Sequence, residues 1–78
     1  MKNPRGIKAA EDIQQFINGY GFKNFTVYDR TDNWLAIDVD GENESEIYSL
    51  LYRLHAWNLN ADLYEHYIEI NIESDDRW

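Results

Sequence analysis

The chain has 78 residues, no cysteine and a formal net charge of −8, with 44% apolar and 15% aromatic residues. A chain of this length forms one domain and buries only about 60–65% of its unfolded surface, yet its composition supports a core and excludes general disorder. Disulfides, thiolate metal sites and cysteine nucleophiles are excluded, no apolar run approaches a membrane span, and the basic start (Lys2, Arg5, Lys8) has no hydrophobic segment of a secretion signal; a cytoplasmic location is the expectation.

Residues 1–6, with Pro4 and Gly6 as breakers, read as a frayed lead-in. The first helix is expected over residues 7–18. Ile13, Phe16, Ile17 and Tyr20 fall at i, i+3, i+4 and i+7 on one face, with Glu11 and Asp12 early in the helix and Gly19 and Gly21 at its end. A first strand over residues 22–29 points Phe25 and Val27 one way and Thr26 and Tyr28 the other. The polar loop Arg30-Thr31-Asp32-Asn33 then joins it to a second strand over residues 34–40 as a hairpin. In that second strand Leu35, Ile37 and Val39 share the core face, and Trp34, Ala36 and Asp38 the other.

Asn43 is an N-cap for a second helix over residues 44–57, with Glu46 three residues on to complete a capping box. Ile47, Leu50, Leu51 and Leu54 form its apolar stripe. Beyond it, Leu59, Ala61 and Leu63 are odd-numbered and Ile68, Ile70 and Ile72 even-numbered. A flat strand has a side-chain period of two, so the chain must turn or bulge between the two sets. A hairpin at Glu65-His66 places Tyr64 opposite Tyr67, although Glu-His is a poor two-residue turn; one long bulged strand is the alternative. Residues 74–78 read as loose.

The resulting class is α+β, in the order αββαββ: a four-stranded antiparallel sheet with both helices on one face and the other face open. An internal αββ duplication is suggested by helix stripes that match at an offset of 34 (Ile13/Ile47, Ile17/Leu51) and strands that match at 33 (Leu35/Ile68, Ile37/Ile70, Val39/Ile72).

Between residues 29 and 76 thirteen acids stand against two bases, Arg30 and Arg53, a balance of −11. Such a surface repels phosphates, which argues against direct nucleic-acid binding, and it attracts basic protein; the same charge also serves plain solubility. The alternating acids Asp38, Asp40, Glu42, Glu44 and Glu46 do not form a calcium loop. Counted from Asp38, Asn43 stands where such a loop has glycine and Ser49 where it has glutamate. His55 and His66 match no zinc spacing, and no serine elbow or phosphate loop is present. No metal, no cofactor and no enzymatic activity are therefore expected.

By strand parity the open face carries Tyr28, Trp34, Asp38, Asp62, Tyr64, Tyr67 and Glu69. Tyrosine and tryptophan interleaved with carboxylates suit a partner rich in arginine and lysine, through ion pairs and cation–π contacts; the same aromatics also stabilise an open sheet by cross-strand pairing. A second candidate surface lies on the second helix, where Tyr48, Tyr52 and His55 are spaced i, i+4, i+7. In size and charge the chain resembles small, acidic, cysteine-free phage proteins that block nucleases, restriction or CRISPR machinery. The expected function is an inhibitor that mimics nucleic-acid charge against a basic enzyme or complex. The alternative is a homodimeric structural or regulatory domain that buries the aromatic face.

Overall fold

The computed structural model describes residues 4–31 and 33–78; Lys2 and Asp32 lie outside them. The elements are α1 (Pro4–Gly19), β1 (Val27–Thr31), β2 (Trp34–Asp38), α2 (Glu44–Ala56), β3 (Asn60–Leu63) and β4 (Tyr67–Asn71). The sheet is antiparallel throughout, in the order β1-β2-β4-β3. Helix α1 lies over β1 and β2 and α2 over β3, so αββαββ with the helices on one face is the architecture.

Local chemistry accounts for the boundaries. α1 begins at Pro4, three residues before the expected start: proline at the first helical position lacks only an N–H that would be unpaired there. The lead-in reading of residues 4–6 is corrected accordingly, and Glu11 and Asp12 fall mid-helix, beyond the reach of the positive dipole end. The first turn of α1 has no acid of its own; Asp29 of β1 supplies one. Its carboxylate lies so close to Gly6 that a Cβ there would sit 2.5 Å from Asp29 Oδ1, and that oxygen is buried with no hydrogen-bond partner among the described residues. Gly6 is thus required by close approach rather than by chain breaking.

Both helices end alike. Gly21 (φ 89°) follows α1, with Gly21 N–H bonded to Asn18 O and Phe22 N–H to Ile17 O. Asn58 (φ 61°) follows α2, with Asn58 N–H bonded to His55 O and Leu59 N–H to Leu54 O. Each is a Schellman closure around a left-handed residue. Aligned on these closures the helices match at an offset of 37, which pairs fully buried Ile13 and Ile17 with fully buried Leu50 and Leu54. The expected offset of 34 sets Ile13 and Ile17 against half-buried Ile47 and Leu51. At the start of α2 the Asn43 side chain accepts hydrogen bonds from Ser45 N and Glu46 N, the N-cap role expected of it.

The first strand begins only at Val27. Residues 22–26 form a turn in which Phe22 and Phe25 bury their rings edge to face, 6.1 Å apart. β1 continues to Thr31, which pairs with Trp34 after a register shift between Asp29 and Thr31, so the expected loop of residues 30–33 is shorter. In the second half Leu63 pairs with Ile68, and Tyr64 N–H bonds to Tyr67 O, which selects the hairpin over the bulged strand. Glu65 and His66 manage this with negative φ. The turn is held from outside, by Val39 N–H on His66 O and by the His66 ring on Asp40.

Residues 74–78, expected to be loose, are bound. Arg5 Nε donates to Trp78 O (2.8 Å), Nη1 to Asn33 Oδ1 (2.9 Å), and Nη2 to Ile72 O and to Asp75 O (2.6 Å). Trp78 Nε1 donates to Asp12 (2.7 Å), and Arg77 donates to Asp75 and Trp57 O. An aromatic run of Phe16, Trp57 and Trp78 closes this end of the helix layer, Phe16 stacked on Trp57 at 4.0 Å.

Two outcomes test these contacts. Gly6→Ala should destabilise by about 1–3 kcal/mol in urea unfolding despite alanine's better helix propensity, because the methyl meets Asp29; adding Asp29→Ala should recover most of that loss, a coupling readable from the double-mutant cycle. Arg5→Ala should cost about 2–4 kcal/mol through lost charge-assisted hydrogen bonds, with hydrogen exchange of the amides of residues 73–78 accelerated more than that of β4.

Candidate protein-binding face

The helix-free face is organised in rows set by the strand register. Tyr28, Ala36, Glu69 and Asp62 form one row, since Tyr28 pairs with Ala36, Ala36 with Glu69 and Asp62 with Glu69. Asp38 and Tyr67 pair in the next row, which Tyr64 extends, and Trp34 and Asn71 pair in the row on the other side. All seven residues expected on this face are thus brought onto it. Tyr28, Trp34, Asp38, Asp62 and Tyr64 are exposed; Tyr67 and Glu69 are half-buried.

The centre of the face holds a residue the strand pattern did not single out. Arg30 reaches from β1 across β2 to β4, where Nη1 meets Glu69 Oε2 at 2.9 Å and the guanidinium lies over the Tyr67 ring, 4.7 Å from its centroid. A hydrogen bond with Tyr67 and the charge of Glu69 raise the Arg30 pKa further above its ordinary value. Ala36 leaves room for this crossing, and its methyl is fully buried although it points to the outer face. The signal available in the sequence was a lone alanine among large outward residues, with an arginine two residues beyond the outward Tyr28 of the neighbouring strand. Tyr67 also stacks with Tyr64, centroids 5.4 Å apart.

One end of this face is more acidic than the rest. An open recess of about 320 Å³ lies between the start of α2, the end of β2 and the β3–β4 turn. Asp40, Glu42, Glu44 and Glu65 line it together with the apolar or aromatic Ile47, Leu63, Tyr48 and Tyr64, and among the described residues no lysine or arginine does. His66 stands at its edge, Nδ1–H donating to Asp40 at 2.7 Å. The hydrogen bond to Asp40 and the charges of Asp40, Glu65 and Asp38 raise the His66 pKa above 6.5.

The chain matches no protein-family model, no curated protein and no solved structure. No described helix is long and apolar enough to cross a membrane, and among the described residues no group of three or more histidines and acids is placed to hold a metal ion. The second surface named from the sequence is only partly free. Tyr48 and Tyr52 are exposed, whereas His55 Nε2–H donates to Ala61 O at 2.7 Å and so caps the outer side of the edge strand β3. β3 is one of the two edge strands of the sheet, where exposed backbone groups can pair with another chain.

The His66 ring should titrate above 6.5 by NMR, and Asp40→Asn should bring it back towards 6.5. A pKa raised on folding contributes stability that is fully present below about pH 6.5 and lost as pH rises through the folded value. The wild type minus Asp40→Asn stability difference should shrink along that path.

Proposed function

We propose that the chain is a small acidic protein-binding module whose helix-free face receives arginine and lysine side chains of a basic partner. Its role would be that of an inhibitor presenting carboxylates where a nucleic acid presents phosphates, in the manner of phage proteins directed against restriction or CRISPR machinery. The observation that carries this reading is Arg30. The face already holds one guanidinium between a carboxylate, Glu69, and a tyrosine ring, Tyr67, which is the chemistry an incoming arginine would need. Around that centre the exposed Asp38 and Asp62, with Tyr28, Trp34 and Tyr64, offer the same two kinds of group to a partner. The acid-lined end beyond Asp40 extends the negative field that would speed encounter with a positive surface.

The test is capture from bacterial lysate at low and high salt, with nucleic acid as competitor. Binding to a basic nucleic-acid enzyme should fall with salt and be displaced by nucleic acid. The double reversal Asp38→Lys, Asp62→Lys should weaken it by about tenfold or more, mainly in association rate. Glu69 is left in place because its loss would strand Arg30. Capture that neither nucleic acid nor the double reversal affects would sink the proposal.

A further inference from the structure

The helix side of the molecule carries an aromatic cleft that the sheet-face reading does not use. Tyr20 and Phe22, at the end of α1, face Tyr48, Ser49, Tyr52 and Arg53 of α2 across an opening of about 430 Å³. Tyr48 and Tyr52 are 54% and 69% exposed, so two largely solvent-facing tyrosines stand at i and i+4 of one helix. The Arg53 guanidinium lies over the Tyr20 ring, 4.5 Å from its centroid, and marks the α1 side of the cleft as positive. On the opposite side Tyr48 is shared with the carboxylate-lined recess of Asp40, Glu42, Glu44 and Glu65. Tyr48 is therefore a ridge with an aromatic cleft on one flank and, on the other, a negative hollow whose four carboxylates face one edge imidazole, His66 on Asp40.

We infer that this composite groove on α2 is a second docking surface, for a segment of a partner protein that carries an arginine beside an aromatic side chain. The aromatic side chain would lie among Tyr20, Phe22, Tyr48 and Tyr52, and the arginine would cross Tyr48 into the carboxylate hollow. Charge fixes the occupant. An acidic segment is repelled from the hollow, and a second copy of this chain brings −8 of its own against it. Charge also fixes the orientation, since Arg53 repels the partner's arginine from the far side of the cleft. The carboxylate hollow and Tyr64 are shared with one end of the sheet face, whereas the cleft of Tyr20, Phe22, Tyr48 and Tyr52 is not, so responses at Tyr20 and Tyr52 separate this inference from the sheet-face proposal.

The experiment titrates the whole, isotope-labelled chain with N-acetyl-Trp-Arg-amide, and with N-acetyl-Trp-Glu-amide as control, by NMR. The arginine peptide should shift the amides of Tyr20, Tyr48, Tyr52 and Tyr64 saturably and bind at least about fivefold more tightly than the control, with the difference fading at high salt. Tyr48→Ala should abolish these shifts. Its side chain is exposed and alanine favours helix, and dispersed spectra would show that the variant is folded. Equal response to the two peptides, no shift at millimolar peptide, or self-association of the chain through α2 would each overturn the inference. Shifts confined to Tyr28 and Trp34 would overturn it too, while leaving the sheet-face proposal standing.

Discussion

The two-residue turn at Glu65-His66 sets the parity of the second half of the sheet. With Leu63 opposite Ile68, the odd-numbered Leu59, Ala61 and Leu63 and the even-numbered Ile68, Ile70 and Ile72 all face the helices. A slip of one residue would turn three isoleucines outward and bring Tyr67, Glu69 and Asn71 into the core, at a cost far beyond the margin of a domain this small. Neither residue of the turn favours the positive φ that tight hairpins usually use. The sequence compensates with two contacts from outside the hairpin, the Val39 N–H on His66 O and the Asp40–His66 pair, and one within it, the stacked Tyr64 and Tyr67 rings. The same tyrosines that close the turn also furnish the candidate binding face, so the stability of the hairpin and the shape of that face are coupled.

The register of the central strands has a further property. Trp34 pairs with Asn71, Ala36 with Glu69 and Asp38 with Tyr67. Adding 33 to any β2 residue number gives the β4 residue that plays the same part, so the pairing is symmetric about the Ala36–Glu69 pair. The two αββ halves are related by an approximate two-fold axis through that point. Identity is broken there: one half places alanine at the axis and the other glutamate, and Arg30 spans the gap. The most asymmetric chemistry of the face thus sits where the backbone is most symmetric.

Much of this was legible in the residues. Strand parity placed Tyr28, Trp34, Asp38, Asp62, Tyr64, Tyr67 and Glu69 on one face, because a period of two leaves little freedom once the aliphatic residues must be buried. Asn43 as a cap and Gly21 as the residue that stops α1 read correctly for equally local reasons, while Gly19 is the last residue of the helix itself. Arg30 escaped because its partner lies two strands away, and a long side chain crossing a sheet has no sequence period. Arg5 and Gly6 escaped because their meaning is tertiary: the one answers carbonyls some seventy residues on, the other makes room for Asp29. Proline and glycine so near the start read as breakers until the helix is seen to begin on the proline.

The Arg5 contacts also bear on how the chain folds. Its acceptors at Ile72, Asp75 and Trp78 are separated from it by 67, 70 and 73 positions, so these three contacts form only after nearly all the chain is available. On a ribosome α1 could form early, but the Arg5 contacts to the carbonyls of residues 72–78 form only once β4 and the residues beyond it have emerged. A knot of such long separation is costly in loop entropy to close. It therefore belongs late on the folding path, where loosening it would raise the unfolding rate more than it slows folding.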